Sequence, residues 1–406
     1  MKRRLVVLTE IIAPYRIPVF NALARHPEID LKVVFLAETD PSIRQWRVYA
    51  EEIQFQYEVL PSWRRRLGKY NLLLNQNLNQ ALQNAKPDAL VCGGYNYLAS
   101  WQALRWGKRN RVPFLLWCES TGSDQRTRHA LVESLKLNFF GKCDGFIVPG
   151  TSARNYVREM AVAGKRIFTA PNAVDNDLFA SRARSARTNE ARVREKLRLP
   201  LRYFLFVGRL VKAKGVFELL EAYGSLNTEL RSQIGLVLAG EGPSRADLER
   251  VAESIHPGAV HFAGFVQRDE LASYYSLANC ALFPTHSDTW GMVVNEAMAC
   301  GLPVICSQAA GCAADLIKEN GRIVVHKNVF QLAQAMTEIA TDTALAEKMF
   351  RESRTIIQHY SPELCAAGIA EAALSYLTKT TESQLGAALC EPNASSPSPS
   401  RAQSAF

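Results

Sequence analysis

The sequence has 406 residues, of which 48% are hydrophobic and 21% are charged. This length exceeds what one hydrophobic core usually supports, and the composition excludes a disordered or fibrous chain, so we expect two globular domains. No apolar stretch approaches the roughly 20 residues of a membrane-spanning helix. The apolar run at residues 5–8 is short and is followed by Glu10, which argues against a secretory signal. We therefore expect a cytoplasmic protein.

The nine cysteines are odd in number and lack the paired spacing of zinc sites. Five of them lie inside apolar segments, where a free thiol behaves as a small hydrophobic side chain. These five are Cys92, Cys118, Cys280, Cys300 and Cys306. The sequence thus predicts neither a metal site nor a disulfide framework.

Basic residues are concentrated in the first part of the chain. Residues 1–170 contain 25 Lys and Arg against 14 Asp and Glu, a net charge of +11, whereas residues 171–406 carry a net charge of −2. This excess indicates either a solvated basic face or a surface for an anionic membrane. No nucleic-acid motif accompanies the charge, so we expect no nucleic-acid partner.

Short apolar runs alternate with longer amphipathic segments, a pattern typical of buried parallel strands joined by helices. Residues 1–175 contain predicted strands at 5–8, 31–36, 89–92, 114–118 and 145–148. Residues 176–200 are polar and arginine-rich, as in a linker or an exposed helix. The alternation resumes over residues 201–345, with predicted strands at 203–207, 234–239, 260–262, 280–283 and 303–306. The pattern therefore predicts an α/β protein with two doubly wound, Rossmann-like domains.

The C-terminal part of the chain has a different pattern. Residues 346–378 are predicted to be helical, with a turn near Ser361 and Pro362. Beyond Lys379 the chain becomes rich in Ser, Pro and Ala. Such a segment buries too little apolar surface to offset the entropy lost on ordering, so we expect a disordered tail over residues 379–406.

Two loops of the second half contain residues suited to binding an anion. Gly208 and Arg209 follow one predicted strand, and Lys214 precedes the next helix. Glycine lets a ligand approach the backbone, and Arg and Lys pair with phosphate; the alternative is a structural salt bridge. Gly240 and Gly242 follow the next strand, again at the sheet edge where open α/β folds bind ligands. The alternative for this second loop is a tight turn that simply needs glycine.

The longest motif covers residues 284–301. Asp288 is expected in a loop, and Glu296, eight residues later, on a helix that begins near Gly291. Glu296 is flanked by Val and Ala residues, so its carboxylate would face an apolar environment, which is costly without a partner. Ribose hydroxyls can donate hydrogen bonds to such a carboxylate. Pairing with a neighbouring Lys or Arg is the alternative.

In this order and spacing, the motifs resemble those of family 4 glycosyltransferases of GT-B fold. The resemblance is strongest over residues 145–375 and includes the 171–179 segment that enters the second domain. It implies that two domains face a central cleft, with the acceptor on residues 1–175 and the nucleotide sugar on residues 201–345. It also implies that the last helix crosses back to the first domain. Members of the family retain the anomeric configuration and need no metal ion.

The resemblance further implies roles for individual residues. Arg209 and Lys214 would neutralise the donor diphosphate and stabilise the departing nucleotide. Glu296 would hold the ribose, and Asp288, where the family more often has Glu, would contact the transferred sugar. The remaining donor contacts would be Gly208, Gly240, Gly242, Trp290, Gly291, Met292 and Val293 around the phosphate and sugar, and Gly264, Phe265 and Val266 beside the nucleobase.

Two departures from the family pattern concern the acceptor side. The first loop often has paired glycines in the family, but here it contains Tyr15 and Arg16, which are candidates for contacting the acceptor. Many members have a His after the strand at 114–118, where this chain has Glu119, a candidate catalytic residue or a helix cap. His286 and His129 are interpreted as solvated rather than functional side chains.

The sequence therefore predicts a retaining, metal-independent glycosyltransferase. It would move a sugar from a nucleotide-sugar donor to a saccharide or lipid-linked acceptor, in surface polysaccharide or glycolipid synthesis, with its basic first domain on the inner face of a membrane. Two alternatives remain open. One is a nucleotide-sugar epimerase or phosphorylase of the same fold, and the other is a nucleotide-sugar-binding protein without catalysis.

Overall fold

The structure, a computed structural model, describes residues 2–388 except 41–44, 68–69, 124–129 and 256. The first sheet has seven strands: β1 (Arg3–Thr9), β2 (Ile29–Phe35), β3 (Gln56–Val59), β6 (Ala89–Gly93), β7 (Phe114–Trp117), β8 (Gly145–Val148) and β9 (Ile167–Thr169). They run parallel in the order β3-β2-β1-β6-β7-β8-β9. An antiparallel hairpin of β4 (Ser62–Leu67) and β5 (Tyr70–Asn75) follows β3 in sequence.

The second sheet has six parallel strands: β10 (Tyr203–Val207), β11 (Gly235–Ala239), β12 (Val260–Gly264), β13 (Cys280–Phe283), β14 (Val304–Ser307) and β15 (Gly321–Val324). Their order is β12-β11-β10-β13-β14-β15. The α-helices are α1 (Ile17–Ala24), α2 (Leu78–Ala85), α3 (Leu98–Asn110), α4 (Ala130–Lys142), α5 (Thr151–Glu159), α6 (Asn176–Thr188), α7 (Glu190–Leu197), α8 (Val216–Ser225), α9 (Thr228–Gln233), α10 (Arg245–Ile255), α11 (Arg268–Leu277), α12 (Met292–Ala299), α13 (Ala313–Leu316), α14 (Val329–Thr341), α15 (Thr343–Ile357) and α16 (Pro362–Ala388).

Both sheets are buried on both faces. Along β1, Leu5 and Val7 pack into one core while Val6 and Leu8 pack into another, because successive side chains of a strand point to opposite faces. The second sheet divides its side chains in the same way. The eight cysteines of the described chain are free and buried, as small apolar side chains would be. The predicted architecture of two doubly wound α/β domains is confirmed.

The strand order places the motifs of the second half at one edge. β10 lies between β11 and β13, so the chain turns to opposite sides of β10 and leaves a crevice at the carboxyl ends of the strands. The segments singled out in the sequence follow β10, β11, β12 and β13. All four therefore reach the same edge, although they are separated along the chain.

Of the two alternatives for residues 176–200, a linker or an exposed helix, the structure has helices, α6 and α7. The Asp175 side chain accepts a hydrogen bond from Leu178 N at 2.8 Å and caps α6. Phe179 and Ala183 are buried in the core of the second domain. Arg187, one of the arginines that made the segment look solvated, donates to the Ser276 and Cys300 carbonyl oxygens. This arginine therefore packs α6 against the second domain rather than facing solvent.

The tail prediction is corrected. Helix α16 continues to Ala388, so residues 379–388 are helical, and residues 389–406 lie outside the described chain. The prolines that favour disorder occur only after residue 390, whereas residues 381–388 include Glu, Gln, Leu and Ala, which favour helices. Before that point α16 crosses onto the first domain, where Ala366, Ile369 and Ala373 join the core beneath α1.

Gly368→Ala should destabilise the protein because α16 approaches the first sheet backbone to backbone. A Cβ at Gly368 would lie 2.2 Å from the Thr169 carbonyl oxygen, so the helix must shift, which costs about 1–3 kcal/mol. Gly141→Ala is the control, since no atom lies within 4 Å of its Cβ position. Urea unfolding should show a lower midpoint for Gly368→Ala only. Equal midpoints for the two variants would contradict this packing.

Candidate active site

The loops after β10 and β11 contact each other through their backbones. Gly208 and Gly240 have φ values of 153° and 156°, and a Cβ at Gly240 would lie 1.8 Å from the Gly208 carbonyl oxygen. A Cβ at Gly242 would lie 2.3 Å from the Leu210 carbonyl oxygen. These glycines are therefore needed because the two backbones approach so closely, which agrees with the alternative that Gly240 and Gly242 serve a tight turn. The two loops pack directly against each other at the carboxyl edge of the sheet.

The loop after β13 is joined to the loop after β10. His286 N donates to the Ala213 carbonyl oxygen at 2.9 Å, and the buried Thr285 hydroxyl donates to the same oxygen at 3.2 Å. Gly215, with φ of 70°, has room for no Cβ, because that atom would lie 2.1 Å from the Pro284 carbonyl oxygen. These contacts bring Lys214 next to Asp288.

Lys214 and Asp288 form an ion pair between their side chains. Both side chains are largely buried, at 18% and 19% exposed, and the second carboxylate oxygen of Asp288 accepts from Trp290 N at 3.1 Å. The salt-bridge alternative is therefore realised for Lys214. Arg209 differs, because its side chain is exposed and forms no hydrogen bond or ion pair with other described residues. Among the described residues, Lys214 is thus a paired cation and Arg209 an unpaired one.

Helix α12 begins where the long motif predicted it. Gly291 precedes it with φ of 105°, and a Cβ there would lie 2.5 Å from the Phe283 ring. Met292 and Val293 form its first turn and are partly buried against the core of the second domain. Trp290 is buried, and its indole Nε1 donates to Asn295 Oδ1 at 2.8 Å.

Glu296 lies on α12, and its carboxylate accepts a hydrogen bond from the Tyr275 hydroxyl at 2.9 Å. It forms no ion pair within the described chain, so the alternative of a paired Lys or Arg does not hold. Burial raises the pKa of Glu296 to about 7, and the Tyr275 bond and the charge of Arg268 offset this only in part. The carboxylate therefore lacks strong partners, as a site for ligand hydroxyls would.

The segment expected beside the nucleobase follows β12. Gly264 has φ of 71°, and Phe265 after it exposes 40% of its surface. Val266 is partly buried against the core of the second domain. An exposed aromatic ring at a sheet edge is suited to stacking on a flat ligand.

Glu119 lies across the cleft, at the end of β7. Its Oε1 accepts from Arg16 Nη2 at 2.7 Å and from Asn172 Nδ2 at 2.7 Å. The guanidinium of Arg16 stacks on the Trp117 ring at 3.8 Å from its centroid. Among its described contacts Glu119 thus caps no helix. Its ion pair with Arg16 and its hydrogen bond from Asn172 together connect the first loop to the segment that enters the second domain. Tyr15, beside Arg16, packs against the core of the second domain.

Two residues of this site were not assigned from the sequence. Asn172 and Asn295 are buried, and Asn295 Nδ2 donates to the Asn172 carbonyl oxygen at 2.9 Å, across the two domains. The available signal was an amide side chain within the apolar run of α12. His286 Nε2 lies 3.0 Å from the Glu218 carboxylate, and its side chain is 20% exposed, so it is paired rather than solvated as expected. His129 lies outside the described chain.

Comparison with known proteins places this fold in a class. The structure superimposes on Anabaena HepE, solved in complex with UDP, with a TM-score of 0.72 and 17% identity, over 92% of this chain and 100% of that one. The fold is therefore that of the GT-B glycosyltransferases. Residues 22–178 match the family model described as Glycosyltransferase Family 4, and residues 188–356 match Glycosyl transferases group 1. The chain belongs to the family 4 glycosyltransferases.

Curated relatives match over part of their length. A D-inositol 3-phosphate glycosyltransferase of Xylanimonas cellulosilytica is 26% identical over 228 residues, 53% of each chain. A GDP-mannose-dependent phosphatidylinositol dimannoside mannosyltransferase of Mycobacterium tuberculosis is 27% identical over 266 residues, 63% of this chain and 66% of that one. Several other matches are shorter, and the chain spans between 38% and 53% of three of these relatives.

Glu296→Gln should stabilise the ligand-free protein above pH 7. The folded-state pKa of Glu296, about 7, exceeds the ordinary value of 4.5, so the folded protein binds more protons than the unfolded chain between these values. Stability therefore falls as the pH rises through this window, and the Gln variant avoids a loss on the order of 2–3 kcal/mol.

Urea unfolding at several pH values measures this difference. The exposed Glu347→Gln on α15 is the matched control, for which no pH-dependent gain is expected. If the unfolding free energies of Glu296→Gln and Glu347→Gln depend on pH in the same way, ionisation of Glu296 does not destabilise the folded protein.

Proposed function

We propose that this protein is a retaining glycosyltransferase. It takes a sugar from a nucleotide-sugar donor bound at the carboxyl edge of the second sheet and transfers it to a saccharide or lipid-linked acceptor, in polysaccharide or glycolipid synthesis. The convergence of Arg209, Lys214 and Glu296 on one crevice, opposite Glu119, carries this proposal. The activities named for the relatives from Xylanimonas and Mycobacterium are consistent with it.

The donor diphosphate would lie between Arg209 and Lys214. Arg209 is unpaired within the described chain, so its guanidinium can bind phosphate without first losing a partner. Lys214 would exchange part of its contact with Asp288 for the phosphate, which leaves the Asp288 carboxylate to accept hydroxyls of the transferred sugar. Two cations at the leaving group supply the charge that a metal ion supplies in other transferases, so we propose a metal-independent reaction.

The other donor contacts follow from the geometry of the same edge. Ribose hydroxyls would donate to the Glu296 carboxylate, whose only described hydrogen bond comes from Tyr275. The nucleobase would stack beside Phe265. The amides at the start of α12 would face the sugar and phosphate, where a helix N-terminus favours negative charge.

The acceptor would bind on the first domain beside Glu119. Within the described chain, both side-chain hydrogen bonds to Glu119 fall on Oε1, which leaves Oε2 for an acceptor hydroxyl. Arg16 and Asn172 hold the carboxylate in place, so it is oriented before the acceptor arrives. Closure of the two domains over both substrates would exclude water and limit hydrolysis of the donor.

Donor binding should raise the melting temperature of the protein, and Arg209→Ala should abolish the rise. A ligand at 100 times its dissociation constant adds about 2.7 kcal/mol of stability. Thermal unfolding is measured with UDP-, GDP- and ADP-sugars, one class of which should bind. Arg209→Ala is a clean test because Arg209 has no described partner whose loss would itself destabilise the fold.

The control is Arg250→Ala, which removes an exposed arginine paired with Asp247 on α10. A rise retained in Arg209→Ala would contradict the assignment of the diphosphate site. Donor isomerisation or sugar 1-phosphate release, without transfer to any acceptor, would favour the epimerase or phosphorylase alternative. Binding without turnover would favour a non-catalytic protein.

We further propose that the first domain binds an anionic membrane through the β4–β5 hairpin. Trp63 and its cross-strand partner Leu74 expose 52% and 39% of their surfaces, and Arg65, two residues from Trp63, is also exposed. An aromatic, an aliphatic and a basic side chain on one edge suit the membrane interface. No helix of the described chain is long and apolar enough to cross a membrane.

Combined substitution of Trp63→Ser and Arg65→Ser should weaken binding to vesicles that contain phosphatidylglycerol. Each basic residue near such a surface contributes about 1 kcal/mol, and salt screens this attraction. Vesicle sedimentation at low and high salt measures it, with Phe330→Ser, an exposed aromatic of the second domain, as control. Binding that ignores both salt and anionic lipid would exclude the electrostatic contribution.

A further inference from the structure

One chain of hydrogen bonds connects the acceptor side of the cleft to the donor side. From Glu119 it passes to Asn172 Nδ2 at 2.7 Å, and from the Asn172 carbonyl oxygen to Asn295 Nδ2 at 2.9 Å. It continues from Asn295 Oδ1 to Trp290 Nε1 at 2.8 Å, and from Trp290 N to Asp288 Oδ1 at 3.1 Å. Asp288 pairs in turn with Lys214. The chain therefore joins three residues predicted to be catalytic, Glu119, Asp288 and Lys214.

The middle of this chain is buried. Asn172 and Trp290 are each 3% exposed, and Asn295 is fully buried on α12, directly after Val294 and before Glu296. A buried amide is costly unless its donors and acceptor are satisfied, and hydrogen bonds in such a medium hold their partners in one geometry. An aliphatic side chain would pack at position 295 without this requirement. The amide at this position therefore contributes more to the orientation of Trp290 and Asn172 than to apolar packing.

The Trp290 ring is held between the domains. A Cβ at Gly150, at the end of β8 in the first domain, would lie 2.8 Å from this ring, so only glycine fits there. On another side the ring centroid lies 6.3 Å from that of Tyr360. The position of Trp290, and of the loop that contains Asp288, thus depends on both domains.

We propose that Asn295 is a positioning residue that aligns the donor loop with the acceptor-side Glu119. Its bond to Trp290 fixes the position of the Asp288 carboxylate, and its bond to Asn172 fixes that position relative to the first domain. The inference rests on the proposed transferase function. It adds that one side chain aligns the donor loop with the acceptor side of the cleft. Asn295 itself touches neither substrate.

Three variants separate the two halves of this contact. Asn295→Leu removes both hydrogen bonds at nearly constant shape. Asn295→Asp still accepts from Trp290 Nε1 but no longer donates to the Asn172 carbonyl oxygen. Trp290→Phe removes the Nε1 bond and keeps the Asn172 bond, although it also removes part of the ring that packs between Gly150 and Tyr360. Asn320→Leu is the matched control, since Asn320 is equally buried in the second domain and bonds to Lys318 N and Ser353 instead.

Release of UDP, GDP or ADP from the nucleotide sugar that stabilises the wild type measures turnover, with a membrane lipid extract as acceptor. Asn295→Leu should lower kcat by about ten- to a hundredfold, since small misplacements of reacting groups have effects of this size. The dissociation constant for the same nucleoside diphosphate alone should stay unchanged, and Asn295→Asp should restore part of kcat. Asn320→Leu should lower the melting temperature yet keep the kcat of the wild type. Equal kcat in Asn295→Leu and Asn320→Leu would overturn the proposal.

Hydrogen exchange of the ligand-free proteins tests the positioning without turnover. Asn295→Leu should speed amide exchange at residues 285–291 and 170–174 together, whereas Asn320→Leu should leave both segments as in the wild type. Unchanged exchange in Asn295→Leu would overturn the inference. A wild type that releases no nucleotide from any donor would instead count against the proposed function, and the exchange result would stand on its own.

Discussion

The hydrogen bond from the Asn295 amide to the Asn172 carbonyl oxygen joins buried polar groups of the two domains, 2.9 Å apart and out of contact with water. Each domain is rigid because its sheet is buried on both faces. The geometry of the cleft is therefore set by the few contacts between domains. A second such contact is Asp315, which accepts from Thr151 N at 2.9 Å and so caps α5 from the other domain.

A third contact lies on the opposite flank of the cleft. Arg268, at the start of α11, donates to the Glu52 carboxylate at 3.0 Å, and its guanidinium stacks on the Tyr49 ring at 3.9 Å from the centroid. The Tyr49 hydroxyl donates to Asp269 at 3.0 Å. Charged pairs of this kind exchange more readily with water than an apolar interface does. Polar contacts thus join the two domains beside the carboxyl edge of the second sheet, and contacts of this kind would allow the domains to move relative to each other.

The candidate site contains charged groups whose hydrogen bonds and ion pairs the protein supplies only in part. Glu296 lies in surroundings that raise its pKa to about 7, and Lys214 and Asp288 neutralise each other. Arg209 is exposed and unpaired within the described chain. A ligand with hydroxyls and a diphosphate would satisfy each of them. Such sites commonly lower the stability of the free protein in exchange for binding.

The sequence by itself determined the two α/β domains and the loops that form the crevice. Buried parallel strands are continuous apolar runs, and glycine with Arg, Lys, Asp or Glu directly after them marks the ligand edge, so both signals are local. The β4–β5 hairpin and the continuation of α16 to Ala388 were missed, and residues 176–200 stayed open between a linker and an exposed helix. Arginine-rich or mixed segments of this kind carry no clear hydrophobic period. Only the tertiary structure decided that Lys214 faces Asp288, that Glu296 lacks a cation, and that Asn172 meets Asn295. Lys214 and Asp288 are 74 residues apart in sequence, and Asn172 and Asn295 are 123 residues apart. Contacts over such distances arise from the packing of whole domains rather than from any local pattern.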